Sequence, residues 1–375
     1  MGRVTPLNPG QTMIAIWRQI GEFFSSEYKK LTQFNKSDRP WQMPFAASIA
    51  MGLPLLIGVQ FHHLNYGLPG CLGGMVFLYL PNTPMYHRII TLMSCAFGML
   101  TCYSLGVISQ FAPALMVPCL GIIATVVTIA CRFFMLPPPG SLFFIMAASI
   151  GMFIPMQALQ VPFFIGLMGM GSILAFGVAL LYSLYILKHR PSGPIASVQA
   201  PSFDFVIIDS VMIGATVALS LFVALSLDLP RPYWVPISCL SVIQGLSTKA
   251  GWSTLFQRVL GSGAGLLLAW YILNLHLDNW SICFVMMALN FLIETLAVRQ
   301  FGLAMIFLTP LTIYIAEAAR MGADDQPLMI IQSRVTDTVL GSLIGIVCGW
   351  ILSQPKFRAL ISTQMRKLIP TRSAP

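Results

Sequence analysis

Between residues 44 and 353, apolar runs long enough to matter to a lipid bilayer follow one another with only short polar breaks. No other feature limits the fold so severely. About 20 apolar residues span a bilayer as a helix, and inside lipid every backbone N–H and C=O must find its partner within the protein. Only 9% of the 375 residues are charged and 57% are hydrophobic, whereas roughly a quarter of a soluble domain is charged. The mean hydropathy of +0.80 agrees. The chain therefore reads as an all-α polytopic membrane protein with about twelve transmembrane helices, and a large soluble catalytic domain is excluded.

The runs predict spans at roughly 44–61, 68–80, 89–111, 113–131, 141–156 and 163–187, then at 209–227, 233–246, 255–275, 280–298, 301–318 and 332–352. The second span of each set is short and carries Pro or Gly (Pro69, Gly70, Gly73, Gly74; Pro232, Pro236), the pattern of a broken or incompletely crossing helix. The expected organisation is an N-terminal segment over 1–43, a six-helix repeat over 44–187, a linker over 188–208, a second six-helix repeat over 209–353 and a tail over 354–375. In the N-terminal segment, Ile14, Trp17, Ile20, Phe24, Tyr28 and Leu31 recur at helical spacing. That stripe predicts an amphipathic helix, lying either on the membrane surface or on the protein's own inner face.

The two sets echo one another. Tyr66 and Pro69 open a short span in the first, as Tyr233 and Pro236 do in the second; Arg132 closes the fourth span and Arg299 the tenth. An even number of spans per set makes the two repeats parallel, related by an axis along the membrane normal. Placing the amino terminus inside puts 18 of the 21 Lys and Arg on the cytoplasmic side and leaves Arg231, Arg320 and Arg334 toward the outside. Such one-sidedness predicts cytoplasmic tails and a cytoplasmic linker. The excess of +9 sits mostly in the two tails, which suits anionic lipid and offers no folded basic face for nucleic acid.

Tyr233-Trp234-Val235-Pro236, Gln244 and Gln257-Arg258-Val259-Leu260-Gly261 with Gly265 resemble the fusaric-acid-resistance (FUSC) family of bacterial inner-membrane exporters. Arg299-Gln300-Phe301-Gly302-Leu303-Ala304 with Phe307, Thr309 and Pro310, and Ser333-Arg334-Val335-Thr336-Asp337-Thr338 with Gly341, look like later blocks of that family. The resemblance extends over most of residues 40–355. It implies efflux of aromatic carboxylates and other small organic anions across the bacterial inner membrane; more distant cousins are plant anion channels. Many family members insert a large cytoplasmic domain between the halves, and the linker here has no room for one.

A glycine-rich phosphate loop ending in Gly-Lys is missing, so active efflux would need an ion gradient or a partner. No cofactor is expected. Arg88, Arg132, Arg258 and Arg299 recur at matching points of the two halves, near the cytoplasmic ends of spans. Together they suggest a basic vestibule that binds an anionic substrate, or else simple lipid anchoring of helix ends. Glu294 has no basic residue three or four positions away, and a charge at membrane depth needs a reason. It is the first candidate for proton coupling, provided that no Arg of another helix reaches it. Asp337 is the second, although Arg334, three positions earlier, can neutralise it; Glu317 and Arg320 form a similar local couple. Gly341, Gly345 and Gly349 make one smooth helical face for close packing, within the chain or in a homodimer.

The eight cysteines include no C-x-x-C pair and read as reduced packing residues. The adjacent His62-His63 is a poor metal site, because neighbouring side chains on a helix diverge. The leading function is an inner-membrane efflux transporter of aromatic or amphipathic organic anions, with a periplasmic membrane-fusion protein as a further expected partner. A passive anion channel is the alternative. An enzyme acting on lipid ranks last, for want of clustered acids and histidines at one face.

Overall fold

The computed structural model describes residues 39–195, 203–246, 251–275, 277–317 and 327–354, together with residue 35. The amphipathic helix expected near 14–31, the basic tail, the centre of the linker and Arg320 lie outside the described residues. Those described form twelve α-helices: α1 (Gln42–Gln60), α2 (Leu64–Gly74), α3 (Met85–Ser109), α4 (Pro113–Phe133), α5 (Leu142–Gly151), α6 (Val161–His189), α7 (Phe203–Ser226), α8 (Trp234–Leu246), α9 (Gly251–Asn274), α10 (Asn279–Leu296), α11 (Phe301–Glu317) and α12 (Pro327–Ser353). Seven are long and apolar enough to cross a membrane. Together they make this a multi-pass membrane protein. The short second helix expected in each half appears as α2 and α8, and α2 runs on into a 3-10 turn at Met75–Tyr79. Helix α5 is also short, ending at Gly151 rather than near residue 156.

Helices inside the bundle and at its rim differ in pattern. On α3, Arg88, Leu92, Cys95, Met99, Cys102 and Val107 recur every three to five residues and are buried, while Ile90, Met93, Phe97, Leu105 and Ile108 face outward. That exposed face is as apolar as the buried one, as lipid requires. Helix α1 has no such polarity. Ala46, Ala47, Ala50, Met51, Leu55 and Val59 cover several of its sides and are all buried.

Helix α1 packs against α2, α6 and α10, and α7 packs against α8, α12 and α4. Within the first half α2 lies on α6 and α3 on α5; within the second, α8 lies on α12 and α9 on α11. Two seams, α1 on α10 and α4 on α7, thus join the halves. Small residues set how closely helices approach. A side chain at Gly73 of α2 would strike the Met168 carbonyl of α6, and one at Gly341 of α12 would strike the Val235 carbonyl of α8. Gly345 likewise meets the Cys239 carbonyl. The glycine face of α12 is therefore used inside the chain.

All eight cysteines are free, six of them buried. Helix α10 is capped by Asp278, whose carboxylate accepts from the Ser281 hydroxyl at 2.6 Å and from the backbone N–H groups of Trp280 and Ser281. Those bonds, the Ser281 hydroxyl first, hold its carboxyl below the usual range.

Candidate functional site

Polar groups among these helices gather in a few places. At the start of α3, buried Arg88 donates to the Thr83 carbonyl (2.7 Å), the Asn82 side chain (3.1 Å) and the Ser183 hydroxyl of α6 (3.3 Å). Its donors thus serve to tie α3 to α6 and the preceding turn. Arg132, at the end of α4, forms an ion pair with Asp209 of α7. Arg258 is half-buried on α9, and Arg299 is exposed beyond the end of α10. The four arginines expected to share a vestibule have four different surroundings.

Glu294 does have a cation. Arg39 Nη2 lies 2.8 Å from Glu294 Oε2, and Arg39 Nη1 donates to the Glu294 carbonyl at 3.2 Å. The acid has no local partner, as the sequence indicates; the alternative left open there, an Arg from elsewhere in the chain, is what occurs, 255 residues away. Beside it, the Asn35 N–H donates to the Arg299 carbonyl at 2.9 Å.

The largest charged grouping is in the second half, where the residues preceding α8 meet α11 and α12. Trp234 is almost wholly buried, and the Arg334 guanidinium lies over its ring, 3.3 Å from the centroid. This distance is well inside the range of a cation–π contact. Arg334 also reaches the Thr312 hydroxyl at 3.4 Å. Buried Arg231 donates to the Ser333 hydroxyl at 3.1 Å. Asp337, three residues after Arg334, is completely buried. Three stretches, the first about 80 to 100 residues before the other two, thus supply two cations, one acid, two hydroxyls and an indole face.

An aromatic stack leads out of this cluster. Trp234 lies 5.2 Å from Tyr233, and Tyr233 lies 5.9 Å from Phe153 just beyond α5. The next residue, Ile154, lines a small cleft with Leu68, Leu72, Ile150, Phe164 and Ile315. Ile315 stands one turn along α11 from Thr312. The arrangement places guanidinium groups at one end and an apolar cleft between the halves at the other. Chemically the guanidinium groups suit a carboxylate, while the cleft as it stands has room for little more than a water molecule.

The sequence offers Trp234 only as part of a family-like block, and sets Arg334 against Asp337 alone. A signal was available: Arg231 and Arg334 are two of the three basic residues that the charge distribution leaves on the far side. A cation kept against the prevailing charge bias has a local reason to be there.

Residues 215–348 match the family model described as fusaric acid resistance protein-like. This bears out the resemblance over the second half, where all of its sequence blocks lie; the match is narrower than the extent expected over most of residues 40–355. A stretch of 156 residues is 29% identical to the uncharacterized membrane protein YvaC of Bacillus subtilis (strain 168), covering 42% of this chain. The match spans a quarter of that protein's length. No solved structure matches.

Proposed function

On the premise of this fusaric-acid-resistance-like second half, we propose that the protein is an efflux transporter of small organic anions, aromatic or amphipathic carboxylates above all, in the bacterial inner membrane. The observation that carries this reading is the Arg334 guanidinium stacked on buried Trp234, with Arg231, Ser333 and Thr312 around it. A carboxylate would take charge-assisted hydrogen bonds from the guanidinium groups, while its ring would rest on the aromatic stack. With no nucleotide loop in the sequence, an ion gradient would drive accumulation. Asp337 is the carboxylate through which a proton would be exchanged; Glu294 would first have to part from Arg39. The positive-inside distribution assigns the ends bearing Arg39, Arg132 and Glu294 to the cytoplasm, and Arg231 and Arg334 to the opposite face.

Binding is testable without transport. Titrating an aromatic carboxylate into the detergent-solubilised protein is expected to quench tryptophan fluorescence saturably, and Trp234→Phe is expected to remove most of that quench. An equal quench in both proteins would place the ligand elsewhere and overturn this site.

A passive channel is the second reading, favoured by the family's channel-forming cousins. It uses the same cluster and differs only in whether a gradient is coupled to flux.

A further inference from the structure

The two seams between the halves carry charge in a common pattern. On α4 and α7 the pair is Arg132–Asp209; at the other seam Glu294 of α10 pairs with Arg39, three residues before α1. Both lie toward the ends of their helices that share one face of the bundle, since α4 and α10 finish there and α1 and α7 begin there. In both, the cation lies before the linker in sequence and the acid after it. The pairs are not copies left by duplication. By the spacing that aligns Arg132 with Arg299, Glu294 corresponds to Val127, and Arg299 itself is exposed.

Further along each seam the contacts change character. Gly121 of α4 lies against Ala218 and the Gly214 carbonyl of α7, and Gly52 of α1 lies under the Met287 side chain of α10. Between the seams, Gln244 of α8 donates to the Ser141 hydroxyl at 3.0 Å, and Thr128 of α4 donates to the same oxygen at 3.4 Å. Those bonds lie at the same face as the ion pairs. Toward the other face the contacts between the halves include a neutral bond, Ser149 to the Tyr233 carbonyl at 3.2 Å, the Phe153–Tyr233 ring contact and the apolar cleft of Leu68, Leu72 and Ile315. Strong, directional contacts thus hold one face shut, whereas small residues and a flexible Met lie where the helices could roll over one another.

We propose that Arg39–Glu294 and Arg132–Asp209 are paired latches across the two seams, and that releasing them opens the bundle at their face while the other face stays closed. Opening there requires parting both ion pairs together. Fixed charge signs, cation before the linker and acid after it, set the register in which the halves close again. The device does not depend on which anion is carried, and its test uses no substrate.

The experiment reads access to the seam. Cysteine reporters replace Asn290, one turn deeper than Glu294, and Thr128, one turn deeper than Arg132; both positions are buried. The full-length protein in liposomes is treated with a maleimide, and labelling is resolved residue by residue by peptide mass spectrometry. Glu294→Gln is expected to speed labelling of the Asn290→Cys reporter several-fold, and Asp209→Asn that of the Thr128→Cys reporter. Native Cys95, buried within the first half, is expected to stay slow. Exchanging the charges in Arg39→Glu with Glu294→Arg is expected to restore protection, which general loosening of the fold cannot explain. If neutralisation leaves labelling unchanged, or if the exchanged pair labels as fast as the neutralised one, the latches are refuted. Should a single variant fail to reach the membrane, the exchanged pair decides alone, protection supporting the latch and exposure overturning it.

Discussion

Arg334→Gln is expected to weaken binding of an aromatic carboxylate about 10- to 150-fold, with membrane levels near those of the wild type. The range follows from the roughly 1.5–3 kcal/mol that a hydrogen bond to a charged group contributes. Glutamine keeps polarity near Thr312 and removes the charge and the planar fork that lies on Trp234. Lysine would not rescue it, because a compact ammonium neither stacks on indole in the same way nor offers two parallel donors. Arg299→Gln provides the contrast. That side chain is exposed, so the account expects its loss to leave affinity unchanged. Fluorescence titration of the three variants checks the ranking, and an Arg299 effect as large as that of Arg334 would return the site to the opposite face.

A second large effect is expected at the seam between α1 and α10. Arg39→Ala would leave the Glu294 carboxylate buried without its 2.8 Å partner. Breaking a buried ion pair from one side costs about 3–5 kcal/mol. The low end applies here, because the Arg39 side chain keeps 22% of its exposure. Even that is a large part of the roughly 5–15 kcal/mol that holds a domain folded. The thermal midpoint of the solubilised protein should fall clearly with Arg39→Ala, and Glu294→Leu in the same chain should recover most of the loss, since no stranded charge remains. Failure of the second change to recover stability would mean that Arg39 acts through something other than this pair.

The helices were legible for a plain physical reason. In lipid the backbone has one local solution, so hydropathy and Pro or Gly breaks place spans within a few residues; α4 was expected at 113–131 and occurs at Pro113–Phe133. The close approach of Gly341 was legible too, since small residues every fourth position can serve little else. The site was not. Sequence reasoning about charges searched three or four positions along one helix, whereas the partner of Glu294 precedes α1 and that of Arg132 lies on α7. Arg88 shows the same limit. Its recurrence suggested either a ligand or lipid anchoring, and three of its donors go to Thr83, Asn82 and Ser183, contacts that sequence could not place. Trp234 was hidden by company, one of 7 Trp among 25 Phe and 10 Tyr, and only the fold lays an arginine over its ring.

The most direct measurement of the central claim is flux through the purified protein in liposomes under an imposed proton gradient. The account predicts uptake of a radiolabelled aromatic carboxylate above its equilibrium level, collapsing to equilibrium when the gradient is dissipated and lost in Arg334→Gln. Flux that persists at the same rate without a gradient would establish the channel instead. No flux beyond that of protein-free liposomes, for aromatic and aliphatic carboxylates alike, would contradict the assignment of this chain as an organic-anion transporter.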